Sequence, residues 1–109
     1  MKLLIAGSRG ITNFDLSPYI TNDVDTIISG GANGVDTLAE GYADKHQISK
    51  YIMRPRYKIY GRRAPLLRNR EMVDMSDEVL IIWDGQSRGT AYTIKYAQSV
   101  KKPIKVIKV

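Results

Sequence analysis

The chain has 109 residues, 43% of them hydrophobic and 26% charged, a balance that fits one soluble domain around one core. It has no cysteine and a single histidine, His46, so disulfides and thiolate metal sites are excluded, a histidine-built metal or triad site is disfavoured, and no metal is expected. Seventeen Lys and Arg against eleven Asp and Glu leave a net charge of +6, which favours an anionic partner: a phosphorylated small molecule, a nucleic acid or an acidic protein.

Lys2–Ala6 (KLLIA) reads as a short apolar strand stopped by Gly7. The opening MKLLIAGSRG breaks at Gly7 and Arg9, too soon for the apolar region of a secretory signal. No apolar run approaches the roughly 18 residues of a membrane helix. A cytoplasmic location without a membrane partner is therefore expected. Residues 14–21 read as a weak helix in which Pro18 has to fall in the first turn, where its missing N–H costs little. Asp25–Ser29 (DTIIS) is a second strand. Val35, Leu38, Ala39, Tyr42 and Ala43 recur at helical spacing, and Lys45 and His46 suit that helix's C-terminus. Residues 49–53 make a third, weaker strand, followed by a loop from Arg54 to Arg63 and a helix over 64–75. Glu78–Trp83 (EVLIIW) is the clearest buried strand. Ala91, Ile94 and Ala97 mark a last helix ending near Lys102, before Pro103. Ile104–Val109 alternates like a final strand with lysines on one face.

Five strands separated by helices predict βαβ units and a parallel sheet of the α/β class, with right-handed crossovers. The apolar strands at 3–6 and 79–83 belong in its centre, and 105–109 belongs at an edge. No linker, repeat or second domain is visible, so residues 1–109 read as one domain.

Three glycine-bearing junctions each follow a strand: Gly7-Ser8-Arg9-Gly10, Gly30-Gly31-Ala32-Asn33-Gly34, and Gly85-Gln86-Ser87-Arg88-Gly89-Thr90. A parallel sheet collects such turns at the carboxyl ends of its strands, where open α/β folds bind ligands. Each turn feeds a helix N-terminus, whose N–H groups attract anions. Glycine lets those amides face a bound group, or simply permits the turn. The glycines match neither G-x-G-x-x-G nor G-x-x-x-x-G-K-[ST], so an ordinary dinucleotide cofactor and a P-loop nucleotide site are disfavoured, and no cofactor is expected.

Asn33 would cap the helix and Asp36 would lie in its first turn. A carboxylate at position 36 would also accept hydrogen bonds from ribose hydroxyls or a base. The stretch RPRYKIYGRRAPLLRNR holds seven basic residues, Arg54, Arg56, Lys58, Arg62, Arg63, Arg68 and Arg70, with Tyr57 and Tyr60 between them. Basic groups neutralise phosphates and aromatic rings stack on bases. Arg54, Arg56 and Lys58 fit a solvated loop equally well. Trp83 reads as core, His46 as a surface residue at a helix end, and Asp84 as a base, a ribose contact or a loop cap.

GSRG at 7–10, ISGGANGVDTLAEGYA at 28–43, YGRRAPLLRNREMV at 60–73 and WDGQSRGT at 83–90 resemble the SLOG superfamily, in particular its small single-domain branch carrying the domain of unknown function 2493. The resemblance covers almost the whole chain. It implies a Rossmann-like three-layer fold with a nucleotide-related ligand above the carboxyl edge of the sheet. Cytokinin-activating phosphoribohydrolases of this superfamily use an arginine shortly before the fourth strand and a glutamate three residues after a G-T pair. Arg68 matches the arginine, but the glutamate falls at Thr93, and the family's P-G-G is replaced by Gly85-Gln86-Ser87. Thr93 is no acid-base group, which leaves Arg68 with Asp36, Glu71 or Asp84 as catalytic candidates. The DNA-processing protein A group, which binds single-stranded DNA, is similar in GSR, in GG-x-x-G-[VI]-D and in R-N-R. A third group of relatives is thought to bind nucleotide-derived signals.

The expectation is a module that binds a nucleotide or ribose-phosphate derivative. Gly7, Gly30, Gly31, Asn33 and Gly34 would line or donate from the turns, and Ser87, Gly89 and Thr90 would cradle phosphate. Ser8, Arg9, Arg68 and Arg88 would neutralise charge beside Asn69, and Asp36 would hold ribose. A nucleotide N-glycosidase and a single-stranded nucleic-acid binder are the alternatives. A core this small would gain from a homodimer.

Overall fold

The computed structural model describes all 109 residues, Met1–Val109. Three apolar runs dictate its centre. Leu3, Ile5, Ile27, Leu80 and Ile82 face one side of the sheet, while Leu4, Ile28, Val79 and Ile81 face the other. A strand alternates its side chains between faces, so a run that is apolar at every position must be covered on both. Strands β1 (Lys2–Gly7), β2 (Thr26–Ser29), β3 (Ser49–Ile52), β4 (Glu78–Trp83) and β5 (Ile104–Lys108) form one all-parallel sheet in the order β3-β2-β1-β4-β5. β1 pairs with β2 through Leu3↔Ile27 and with β4 through Ile5↔Leu80. The lysine-bearing β5 is an edge, as expected, and the exposed β3 is the other.

Helix α1 (Val35–Lys45) covers one face with Val35, Ala39 and Ala43, beside Leu16 and Val24 from the β1–β2 connection. Helices α3 (Ala64–Met75) and α4 (Arg88–Ser99) cover the other with Met72, Val73 and Ala97. The result is the Rossmann-like three-layer α/β fold. No helix is long and apolar enough to cross a membrane.

Two segments depart from expectation. Residues 14–21 form only a 3-10 turn at Ser17–Tyr19, where Pro18 occupies the first turn and Asp15 Oδ1 accepts the Ser17 N–H at 3.0 Å. That side-chain bond offers the backbone a turn in place of a helix. The expected loop 54–63 contains a one-turn helix α2 (Tyr57–Tyr60) followed by a 3-10 turn at Gly61–Arg63.

α4 ends at Ser99, earlier than Lys102. Lys101 adopts φ 57° and Lys102 N–H reaches back to the Ala97 carbonyl at 2.9 Å. α1 ends the same way, with Gln47 at φ 56° and Ile48 N–H on the Ala43 carbonyl at 2.8 Å. Both are Schellman closures made without the usual glycine.

Candidate ligand-binding site

Strand order reverses between β1 and β4, the place where open parallel sheets part their connections and leave a crevice. A cleft of about 320 Å³ opens there. Its walls come from the β1 turn (Gly7, Arg9, Gly10), the β2 turn (Ala32, Asp36), the first turns of α4 (Ser87, Gly89, Thr90, Thr93) and one side of α3. Pro65, Leu66 and Met72 supply the apolar part of the lining.

Arg68 organises this cleft. It is only 8% exposed. Nη1 donates to the carbonyls of Gly30 at 2.6 Å and Met53 at 3.3 Å, and Nε donates to Asn69 Oδ1 at 2.8 Å. A methyl group at position 30 would lie 2.7 Å from Nη1, so glycine there is what admits the guanidinium. Burial lowers the Arg68 pKa from its ordinary value, and the nearby Asp36 opposes that shift.

Asp36 is 7% exposed, and its Oδ2 accepts the Ala32 N–H at 3.1 Å. Burial raises its pKa; the Ala32 bond and the charge of Arg68 pull the other way. The chain's two ion pairs, Met1–Asp25 and Lys50–Asp44, do not involve either residue. No buried side-chain nitrogen or oxygen lacks a partner. Arg68 Nη2, Asp36 Oδ1, Asn69 Nδ2 and Thr90 Oγ1 bond nothing in the chain and none is fully buried, and all four residues line the cleft. The first-turn N–H groups of Arg88, Gly89 and Thr90 carry no backbone bond either, the normal state of a helix start. Arg9 is exposed and makes no side-chain bond. The cleft therefore gathers two cations, free helix-end donors and one carboxylate oxygen.

Several expected site residues hold other positions. Ser8 is 1% exposed; its Oγ accepts the Asp84 N–H at 2.9 Å and the Ser87 hydroxyl at 3.1 Å, tying the β1 turn to the end of β4. Asp84 is a loop cap, since its Oδ1 takes the N–H groups of Gln86 and Ser87, which lower its pKa. It does not line the cleft, nor does Arg88, which is exposed at the start of α4. Asn33 does not cap α1. Gly34 holds the cap position without any side-chain bond, and Asn33 is exposed. Gly7 and Gly34 meet backbone rather than open space: a Cβ at Gly7 would collide with the Ile82 carbonyl, and one at Gly34 with the Arg9 carbonyl. Gly31 donates its N–H to Ser29 Oγ at 3.3 Å and so does not point that donor outward. Trp83 packs partly buried against the α3–α4 side of the core, with Nε1 donating to the Ser87 carbonyl. His46 caps α1 at the surface and stacks on Tyr42.

Thr93 lines the cleft, but its hydroxyl donates to the Gly89 carbonyl at 3.0 Å. Glu71 faces a separate small depression beside Arg54 and Tyr60. Asp36 is thus the only acid in the cleft lining. The apolar wall residues Pro65, Leu66 and Met72 fall within the 60–73 motif but do not stand out there as site residues, because apolar side chains on a helix carry no chemistry of their own. No group of three or more His, Asp or Glu side chains converges anywhere in the chain.

The fold and this cleft define the class: a five-stranded parallel α/β protein with a polar crevice at its switch point. Comparison with family models, curated proteins and solved structures finds no match to this chain.

Proposed function

We propose that the chain binds a nucleotide or ribose-phosphate derivative in the β1–β4 cleft. The observation that carries this reading is that the α4 N-terminus, Arg9, Arg68 and Asp36 line one cleft, where Arg68 Nη2 and Asp36 Oδ1 have no partner in the chain. Free N–H groups at a helix start, with two guanidiniums, suit a phosphate. A lone carboxylate oxygen repels phosphate but accepts from sugar hydroxyls. A ligand that joins an anion to a polyol satisfies both. The resemblance of the four motifs to the SLOG superfamily agrees with this reading.

A thermal-shift panel of nucleoside phosphates, ribose 5-phosphate, unphosphorylated ribose and a short single-stranded oligonucleotide tests it. A ligand at about 100 times its dissociation constant adds roughly 2.7 kcal/mol, and each kcal/mol moves the midpoint of a domain this size by about 4–8 °C. The reading expects shifts with phosphorylated ribosides and none with free ribose. No shift with any phosphorylated compound would refute it.

Asp36 supports a second reading, a nucleotide N-glycosidase. It is the one acid of the cleft and its raised pKa suits general acid-base work. Incubation with nucleoside monophosphates and chromatography for free base is the test; absence of release across the panel rules out hydrolysis of these substrates. The exposed Tyr57 and Tyr60, set among cations, support single-stranded nucleic-acid binding instead. That reading requires affinity falling steeply with salt.

A further inference from the structure

The carbonyls of the turn after β2 accept from two arginines, one buried and one exposed. Arg68 donates to the Gly30 carbonyl, and Arg54 Nη1 donates to the Gly31 carbonyl at 3.2 Å. A methyl group at Gly30 would lie 2.7 Å from Arg68 Nη1, and one at Gly31 would lie 2.8 Å from Arg54 Nη1. Gly31 also holds φ +72°, a conformation that disfavours any side chain. Two consecutive glycines thus each leave room for one guanidinium, and Gly31 also for Ile52.

The two guanidiniums serve two depressions. The second, about 470 Å³, is lined by Gly30–Asn33, Arg54, Pro55 and Tyr57, and it shares Arg9, Ala32 and Arg68 with the cleft at α4. Tyr57 is 58% exposed, and its ring stacks on no other aromatic or cation of the chain. The second depression therefore offers a free aromatic face beside the exposed Arg54 cation, which bonds the Gly31 carbonyl. The nine-tenths-buried Arg68, with its unpartnered Nη2, stands at the junction.

We infer that the ligand has two parts: a phosphorylated ribose in the cleft at α4 and a planar, base-like ring stacked on Tyr57, joined by an anionic linker over Arg9, Arg68 and Arg54. A diphosphate-bridged dinucleotide has this chemistry, held here by arginines and a tyrosine and not by the G-x-G-x-x-G turn of an ordinary dinucleotide cofactor site. The inference rests on the proposed reading of the cleft and adds a second subsite to it.

Calorimetric titration with ribose 5-phosphate, diadenosine diphosphate and a single-stranded oligonucleotide tests it, on the wild type and on Tyr57→Ala and Arg54→Gln. Melting curves confirm that both exposed-site variants fold. Diadenosine diphosphate should bind at least about tenfold more tightly than ribose 5-phosphate. Tyr57→Ala should weaken the dinucleotide by roughly 5- to 150-fold, the range for loss of one base stack, and leave ribose 5-phosphate unchanged. Arg54→Gln should likewise weaken only the dinucleotide. Equal affinity for the two compounds, or equal weakening of both by Tyr57→Ala, overturns the second subsite while leaving the cleft intact. Binding of neither compound removes the cleft reading and this inference together. An oligonucleotide that binds more tightly than the dinucleotide, with a steep salt dependence, overturns the two-part ligand in favour of a polymer.

Discussion

Gly30→Ala isolates the seating of Arg68 in a single methyl group. Gly30 does not hold a positive φ, so alanine fits its backbone. At such a position the exchange ordinarily stabilises by about 0.4–1 kcal/mol, through the unfolded chain. Here the new Cβ lies 2.7 Å from Arg68 Nη1, 3.0 Å from its Cζ and 3.0 Å from Asp36 Oδ2. The guanidinium has to move, which breaks the 2.6 Å bond to the Gly30 carbonyl. A hydrogen bond to a charged group contributes about 1.5–3 kcal/mol. Set against the backbone gain, the net loss is about 0.5–2.6 kcal/mol, a fall in melting midpoint of roughly 2–21 °C. Displacement also re-aims Nη2, so affinity for ribose 5-phosphate should fall by about tenfold. In an Arg68→Ala background the same substitution meets no guanidinium and should change stability by less than about 0.5 kcal/mol, or raise it. Denaturant melts of the four proteins of this cycle give the coupling directly. Gly30→Ala as stable as wild type with undiminished affinity would refute the reasoning.

Three further outcomes are expected. Lys101→Gly should stabilise by about 0.5–1 kcal/mol in a denaturant melt, because Lys101 closes α4 at φ 57°, where only glycine escapes the Cβ penalty; a loss of stability would count against this origin. Gly7→Ala should cost about 3 kcal/mol or more, since its Cβ meets the Ile82 carbonyl between the two central strands, and a melt unchanged from wild type would contradict that packing. Burial raises the Asp36 carboxyl above its ordinary value near 3.8, so the folded state holds this proton more tightly than the unfolded one. Relative to Asp36→Asn, the wild type should gain stability as pH falls through the raised value, level off below 3.8, and lose that gain as pH rises again. A difference that is flat or of opposite sign would show that Asp36 is not governed by burial.

The strands were legible because β1 and β4 are apolar at consecutive positions, a pattern that only a doubly covered strand needs. The lysines of β5 likewise marked an edge. α2 was not legible: four residues make one turn, too short for a helical period to appear. The 3-10 turn at Ser17–Tyr19 lies in a stretch whose helical signal was weak from the outset, and the Asp15 side chain settles it locally. The glycine junctions were visible, but not the division of labour within them. Gly7 and Gly34 answer to carbonyls that arrive from elsewhere in the chain, Ile82 and Arg9, while Gly30 and Gly31 answer to arginines 38 and 23 residues away. Such partners exist only once the sheet has assembled. For the same reason Ser8 and Asp84, each a plausible ligand contact in isolation, are joined to one another through the Asp84 N–H and Ser8 Oγ.

The most direct test of the proposed cleft is amide mapping by NMR of the ¹⁵N-labelled protein during titration with ribose 5-phosphate. Saturable shifts should concentrate at Gly89 and Thr90, at Ala32 and Asp36, and at Arg68 and Asn69, three clusters distant in sequence that meet at the switch point. Shifts confined to the β5 edge or the C-terminus of α1, or none at saturating concentration, would contradict a ribose-phosphate site between β1 and β4.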